Sequence, residues 1–479
     1  MAEHGAMWRG ESPIQQAKPL GLWRFAQKLW PHHSLQASAF SQPILPLMRG
    51  DETEAFAMYA SHFHFNGETI TAPAAQIFNS TSGSKCFQHY LHNLHWLKHF
   101  AASNRTLHAH YALRLLGRWA KSNWQISCIG NLSQIIITLA SDGQVLARRC
   151  EAQLQTEFLE VASSVIHKLV KRSTHTPEAA VHKAMALLYA VTAFKGVEEL
   201  RKSACDLLNS SIDKVIHPDG GHCSNQVENL ITLLSQLLPL QSAMLQQRQA
   251  LPQSATHAID RMLPMLRMLS FGNHQLTTLR SSYQNPNLVK SLLVQRDAKP
   301  LLNAPHSGLV RFETAVITCV ADTRDHFGLE LAIGQSPTFK NAIITTRSQP
   351  TPIKVRWQTE GHVLHMVDGR GFGRICFLSA DGTDLRVEDH HATPFQIVIE
   401  LNPDVKISAM REGAAVLFVT QDRQVWQLSL RGGKASIEPG GFISLVGEAG
   451  ARINWALKKQ QPAVKSQARK TKLRSNLLV

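Results

Sequence analysis

Along the chain the spacing of apolar residues changes once. Up to about Val294 it is helical. Cys86–Ala102 carries Phe87, Tyr90, Leu91, Leu94, Leu97 and Phe100 on one face, and Leu107–Ala120, Leu132–Leu139, Phe158–Lys171 and Ala179–Phe194 repeat the pattern. Val197–Ile216, Leu230–Gln247 and His257–Leu269 continue it, the last with an internal Pro264, and almost nothing from Trp8 to Val294 reads as a strand. Beyond Pro305 the runs shorten and become β-branched: Val310–Ala321, Gly328–Ile333, Ala342–Thr346, Ile353–Gln358, Val363–Val367, Ile375–Leu378, Phe395–Leu401, Val416–Thr420, Val425–Leu430, Phe442–Val446 and Ile453–Leu457. Phe395, Ile397, Ile399 and Leu401 recur at every second position, and turn pairs such as Asp381-Gly382 and Asn402-Pro403 punctuate the runs. The pattern predicts a leader (1–45), a helical domain built from antiparallel pairs (46–300), an antiparallel β-sandwich or barrel (305–457) and a terminal tail (458–479).

Between two of the helices stands His217-Pro218-Asp219-Gly220-Gly221-His222-Cys223-Ser224-Asn225. Pro presets φ, Asp bonds the backbone ahead and Gly accepts positive φ, so the stretch predicts a rigid elbow. It presents His222 and Asn225 at a helix entrance. An elbow of this kind is either a simple connection with a solvated histidine or the seat of a site.

Composition narrows the class. With 44% hydrophobic and 18% charged residues in 479, the chain is too apolar to be mostly disordered and too long for one ordinary core. The net charge of +15 suggests an anionic partner, yet much of the excess lies in the tail, at Lys458, Lys459, Lys465, Arg469, Lys470, Lys472 and Arg474. Seven scattered cysteines without a Cys-x-x-Cys pair argue for reduced thiols rather than a disulfide framework or a structural zinc site. Met1–Gly10 has no apolar secretory core, and no run reaches transmembrane length. Gly21–Trp30, short, aromatic and basic, predicts a helix that packs on the body or lies on a membrane surface.

Dinucleotide-binding and phosphate-binding glycine loops, zinc-protease and serine-hydrolase signatures are missing from the sequence. His306, in Asn303-Ala-Pro-His-Ser-Gly308 before the first predicted strand, is a candidate for a ligand-facing histidine or a boundary cap. His89, His92, His95 and His99 share one predicted helix. Without a carboxylate among them they read as a partly exposed polar stripe rather than a metal face.

Six stretches in this order and spacing resemble the heparinase II/III-like family of bacterial polysaccharide lyases, in its alphaproteobacterial form: Leu91–His99, Pro218–His222, Leu237–Gln241, Ala258–Arg267, Ala304–Gly308 and Leu378–Gly382. The resemblance covers Pro46 to Leu457. It implies an N-terminal incomplete α/α toroid followed by a C-terminal antiparallel β-sandwich. It also implies β-elimination on a uronate-containing, acidic polysaccharide, without metal or organic cofactor, at the cell envelope or periplasm; the absent export signal leaves the cytoplasm as the alternative. No nucleic-acid partner is expected. In such a lyase His222, Asn225 and His306 would be catalytic, with Asp219 and His326 contacting substrate. The chain departs from the family pattern at three places. Ser224–Leu230 has no tyrosine, Lys340–Arg347 has no histidine, and Leu279-Arg280-Ser281 replaces a Phe-Asn-Gly. Two readings remain: a lyase, or an inactive relative that binds acidic glycan or serves structurally in the envelope.

Overall fold

A computed structural model describes residues 35–460, apart from 75, 80–81, 123–127, 282–284, 325–326, 346–353, 359–361, 368–371, 411–414, 433 and 439–441. The Gly21–Trp30 segment and the tail beyond Gln460 lie outside the described residues. The chain forms two compact units. The first runs to Ser270 and includes His274–Leu276 and Arg280–Ser307; the second comprises Phe271–Asn273, Thr277–Leu279 and the residues from Gly308 onward.

The first unit is helical: α1 (Glu52–Tyr59), α2 (Lys85–His92), α3 (Leu97–Ala102), α4 (Thr106–Lys121), α5 (Ile129–Thr138), α6 (Gln144–Ala147), α7 (Ala152–Val170), α8 (Pro177–Ala193), α9 (Leu200–Val215), α10 (Val227–Gln246), α11 (Gln253–Leu269) and α12 (Pro286–Leu293). Local chemistry sets several starts. Thr176 accepts from the Ala179 N–H with Pro177 in the first turn, and Asn285 accepts from the Leu288 N–H ahead of Pro286 in the same manner. The buried face of α9 is Leu200, Ala204, Leu208, Ser211, Ile212 and Val215, a helical repeat.

Three expectations change here. The helix predicted over Cys86–Ala102 is two helices, because Leu94 takes a left-handed backbone (φ 63°) between α2 and α3. The histidines placed on it are therefore not an exposed stripe: His92 and His99 are buried, and burial pulls His92 and His95 down to about 3. The stretch with almost no strands contains a hairpin, β1 (His62–Phe65) paired with β2 (Glu68–Thr71); its turn needs Asn66 and Gly67 at positive φ. One π-helical turn, Leu139–Gly143, joins α5 to α6.

The second unit is a sandwich of two antiparallel sheets. Its strands are β3 (Leu309–Glu313), β4 (Ile317–Asp322), β5 (Leu329–Ile333), β6 (Ser336–Thr345), β7 (Lys354–Gln358), β8 (Val363–Val367), β9 (Gly373–Leu378), β10 (Asp384–His390), β11 (Phe395–Leu401), β12 (Lys406–Met410), β13 (Ala415–Val419), β14 (Val425–Arg431), β15 (Lys434–Glu438), β16 (Phe442–Gly447) and β17 (Arg452–Lys459). One sheet contains β15-β16-β11-β6-β5-β4-β3 in order, the other β7-β8-β9-β10-β17-β14-β13-β12. Alternation buries Phe395, Ile397, Ile399 and Leu401 with Leu329, Leu331, Trp426 and Trp455 in one core.

The predicted strand Val310–Ala321 is the hairpin β3–β4, turned where Thr314 Oγ1 accepts the Ile317 N–H. Three strands were not foreseen: β10, β12 and β15. β10 reads Asp-Leu-Arg-Val-Glu-Asp-His, too charged to suggest a central strand, yet it pairs on both sides. Its Asp389 is buried in a two-pronged ion pair with Arg374 (Nε–Oδ1 2.6 Å, Nη2–Oδ2 3.0 Å) and accepts from Trp455 Nε1 at 3.1 Å. Lys458 and Lys459, expected in the tail, belong to β17, and Lys458 pairs with Asp384 at 3.2 Å. All seven cysteines are free. Among the described residues no helix is long and apolar enough to cross a membrane.

Candidate functional site

The elbow between α9 and α10 is built by its own backbone. His217 N–H donates to the Gly221 carbonyl (2.8 Å), Gly220 N–H to the His217 carbonyl (2.9 Å) and Cys223 N–H to the Val215 carbonyl (2.8 Å), with Ile216 and His222 paired as an isolated bridge. Gly220 is required: its φ is +87°, and a Cβ there would collide with the Arg261 carbonyl. A side chain at Gly221 would strike Ser307 Oγ.

That contact follows from how Asp219 is held. Its Oδ2 accepts the Ser307 N–H and its Oδ1 accepts the Ser307 hydroxyl, both at 2.7 Å, while Oδ1 also receives the Gly221 N–H at 3.3 Å. Asp219 thus ties the elbow to a segment 88 residues away in sequence. Ser307 is in turn gripped from its carbonyl, which accepts from Arg280 Nη1 at 2.6 Å. The same Nη1 reaches Asn225 Oδ1 at 3.5 Å, and Asn225 itself is held at positive φ (57°). Asp219, Asn225, Arg280 and Ser307 therefore form one connected group. Beside it the Ser281 hydroxyl donates to Glu228 Oε1 (2.8 Å) in the first turn of α10.

His222 points elsewhere. It is buried, and its Nδ1 accepts from the Ser224 hydroxyl (2.8 Å) and the Ser224 N–H (3.1 Å), so the neutral ring carries its proton on Nε2. Burial pulls it down to about 4, against an opposing attraction from Glu178. Cys223 Sγ donates to Glu178 Oε1 at 3.0 Å, a bond that lowers Glu178, whereas burial and that carboxylate push the thiol up to about 12. His182 is likewise lowered to about 4, first by burial and then by His222. The cluster is neutral apart from Glu178. A histidine whose only lone pair is already engaged is poorly placed to receive a carbon-bound proton.

Of the residues named from sequence, Asp219 and Asn225 enter the connected group, whereas His222 bonds to Ser224. His306 is exposed, next in the chain to Ser307, and His326 lies outside the described residues. Sequence reasoning missed Arg280 and Ser307 as partners. Arg280 was visible only as a departure from Phe-Asn-Gly, and Ser307 only as part of Ala304–Gly308.

Solved structures with the same arrangement of elements exist. Heparinase III superposes with a TM-score of 0.64 over 91% of this chain and 88% of its own, at 11% identity. A mutant of the heparan sulfate lyase HepC from Pedobacter heparinus gives 0.60 over 92% and 87%, at 12% identity. The fold is that of heparinase III. An incomplete α/α toroid precedes an antiparallel β-sandwich, as the resemblance implied. No protein-family model matches the chain. A relative among characterised proteins, FtsZ-localized protein C of Caulobacter vibrioides (strain NA1000 / CB15N), is 29% identical over 258 residues, 51% of this chain. The match spans only 44% of that protein's length. In this chain with the fold of heparinase III, Arg280 and Ser307 meet Asn225 and Asp219 of the elbow ahead of α10, and no tyrosine stands between Ser224 and Leu230.

Proposed function

We propose that the chain is a heparinase III-like protein that binds acidic, uronate-bearing polysaccharide at the elbow without turning it over. The observation that carries this reading is Arg280, a permanent cation beside Asn225 at the entrance of α10. A guanidinium presents five donors in a plane, the geometry that a uronate carboxylate accepts. The amide of Asn225 and the start of α10 are neutral donors nearby in the chain. Turnover would need a base, and the histidine that the resemblance puts in that role, His222, is buried, neutral and bonded through Nδ1 to Ser224. Asp219 is occupied with Ser307, which makes it a framework residue.

The test uses the whole chain and a panel of uronate polymers, with binding measured by calorimetry and elimination by the ultraviolet absorbance of an unsaturated uronate. Binding that weakens with salt and drops about tenfold in Arg280→Ala, with no absorbance gain, is expected. An absorbance rise abolished by His222→Ala would replace this reading with the lyase, with His222 and Asn225 catalytic. Failure to bind any polymer would end both.

The likeness to FtsZ-localized protein C favours a second reading, compatible with the first: that the protein works at the envelope of dividing cells. A fluorescent fusion concentrated at the division plane is expected; uniform distribution along the cell would exclude it.

A further inference from the structure

The helical unit has a pocket of about 200 Å³, partly open to solvent beside Met48, whose polar lining includes His95, Lys98, Gln134, Thr138, Asp142 and Gln236. No residue of the elbow group lines it, so a ligand held there is independent of the glycan reading. We propose that this cavity is a binding site for one small neutral polyol of monosaccharide size.

Size comes first. A water molecule's share of liquid volume is about 30 Å³, so the space suits a six-carbon ring or chain with its hydroxyls rather than one or two waters. The lining then sets the chemistry. Gln236 is only 8% exposed; its Nε2 donates to Gln134 Oε1 at 3.0 Å, while its Oε1 accepts no hydrogen bond among the described residues. A buried acceptor of this kind requires a donor. Tyr189, also on the lining, does not supply it, because its hydroxyl donates to the Gln236 main-chain carbonyl at 2.8 Å. Gln134 Nε2 is directed to Thr138 Oγ1 at 3.4 Å.

The local backbone is unusual at the same place. The π-helical turn Leu139–Gly143 begins directly after Thr138, and Ser141 and Asp142 within it both reach the lining. Such turns recur at functional sites because they re-aim side chains that a regular helix would direct elsewhere. The Asp142 carboxyl makes no hydrogen bond to a described residue, and burial raises it to about 7 against the pull of Lys98. A carboxyl that is half protonated near neutrality both donates to and accepts from hydroxyls. A ligand ammonium would face the Lys98 side chain, and a ligand anion would face the Asp142 carboxyl, because both line the same space. Hydroxyl groups meet every requirement: they donate to Gln236 Oε1 and accept from the Lys98 ammonium.

Calorimetry and thermal unfolding of the whole chain with glucose, mannitol and myo-inositol test this. At least one should bind saturably at one site and raise the unfolding midpoint. Gln236→Met and Thr138→Val should each weaken that binding about tenfold, and Arg280→Ala should leave it unchanged. If Gln236→Met does not fold, Thr138→Val carries the comparison. No saturable heat from any of the three, or heat that survives both cavity variants, overturns the proposal. So does binding of serine or glutamate in place of the polyols.

Discussion

Asp219→Ala is the perturbation that most directly probes the elbow. The wild-type carboxylate accepts two hydrogen bonds at 2.7 Å from Ser307 and one at 3.3 Å from Gly221. A hydrogen bond to a charged group contributes about 1.5–3 kcal/mol net, and the three share one carboxylate, so they do not add fully. Ser307 is only 3% exposed; its N–H, left without an acceptor, adds a desolvation cost of about 1–3 kcal/mol. The expected loss is about 3–5 kcal/mol for the helical unit. Asp219→Asn keeps one acceptor oxygen and gives up the charge, so about 1–2 kcal/mol is expected. Urea unfolding followed by far-ultraviolet circular dichroism measures both, read at the transition that removes the helical signal because two units need not unfold together. If Asp219→Ala costs less than about 0.5 kcal/mol, the range of an ordinary surface change, the carboxylate does not anchor the elbow and the assignment fails.

Three further outcomes are expected. Gly220→Ala forces a Cβ against the Arg261 carbonyl at φ +87°, and should destabilise by more than the roughly 1 kcal/mol that separates Gly from Ala on conformational grounds, checked by the same urea midpoint. Acid should weaken the fold through His222. Its folded value of about 4 lies below the ordinary 6.5, so between these pH values the unfolded chain takes up a proton the folded one refuses; stability is intact above 6.5 and falls towards 4, by on the order of 3 kcal/mol in all. Asp142, raised to about 7, acts with the opposite sign, losing its contribution as pH rises from 3.8 through 7, so the difference between the parent and His222→Gln isolates the histidine; parallel pH profiles of the two would contradict the assignment. In the sandwich, Asp389→Ala leaves the buried Arg374 without its counter-charge and should cost about 3–5 kcal/mol, read from the loss of Trp455 fluorescence change at a lower denaturant concentration.

The order of helices then strands, the elbow and the Ala304–Gly308 segment were legible because they depend on neighbours in sequence: periodicity of 3.6 or 2, capping residues, and Pro-Asp-Gly-Gly turn chemistry. Local signals failed where burial overruled them. β10 is charged yet central, since Asp389 finds Arg374 and Trp455 only once the sheet has closed. The apolar run through Leu94 reads as one helix, and packing splits it. Chemistry at the elbow was half legible. Asp219, His222 and Asn225 were visible as polar groups on a turn, but their roles were set by residues far along the chain. Ser307 engages Asp219, Arg280 stands on Asn225, and Glu178 with Ser224 holds the Cys223–His222 pair neutral. The sequence by itself determined which segments are rigid and where polar groups gather. Tertiary structure alone decided which of those groups are exposed, charged or already bonded, because desolvation and hydrogen-bond partners arise only when distant segments meet.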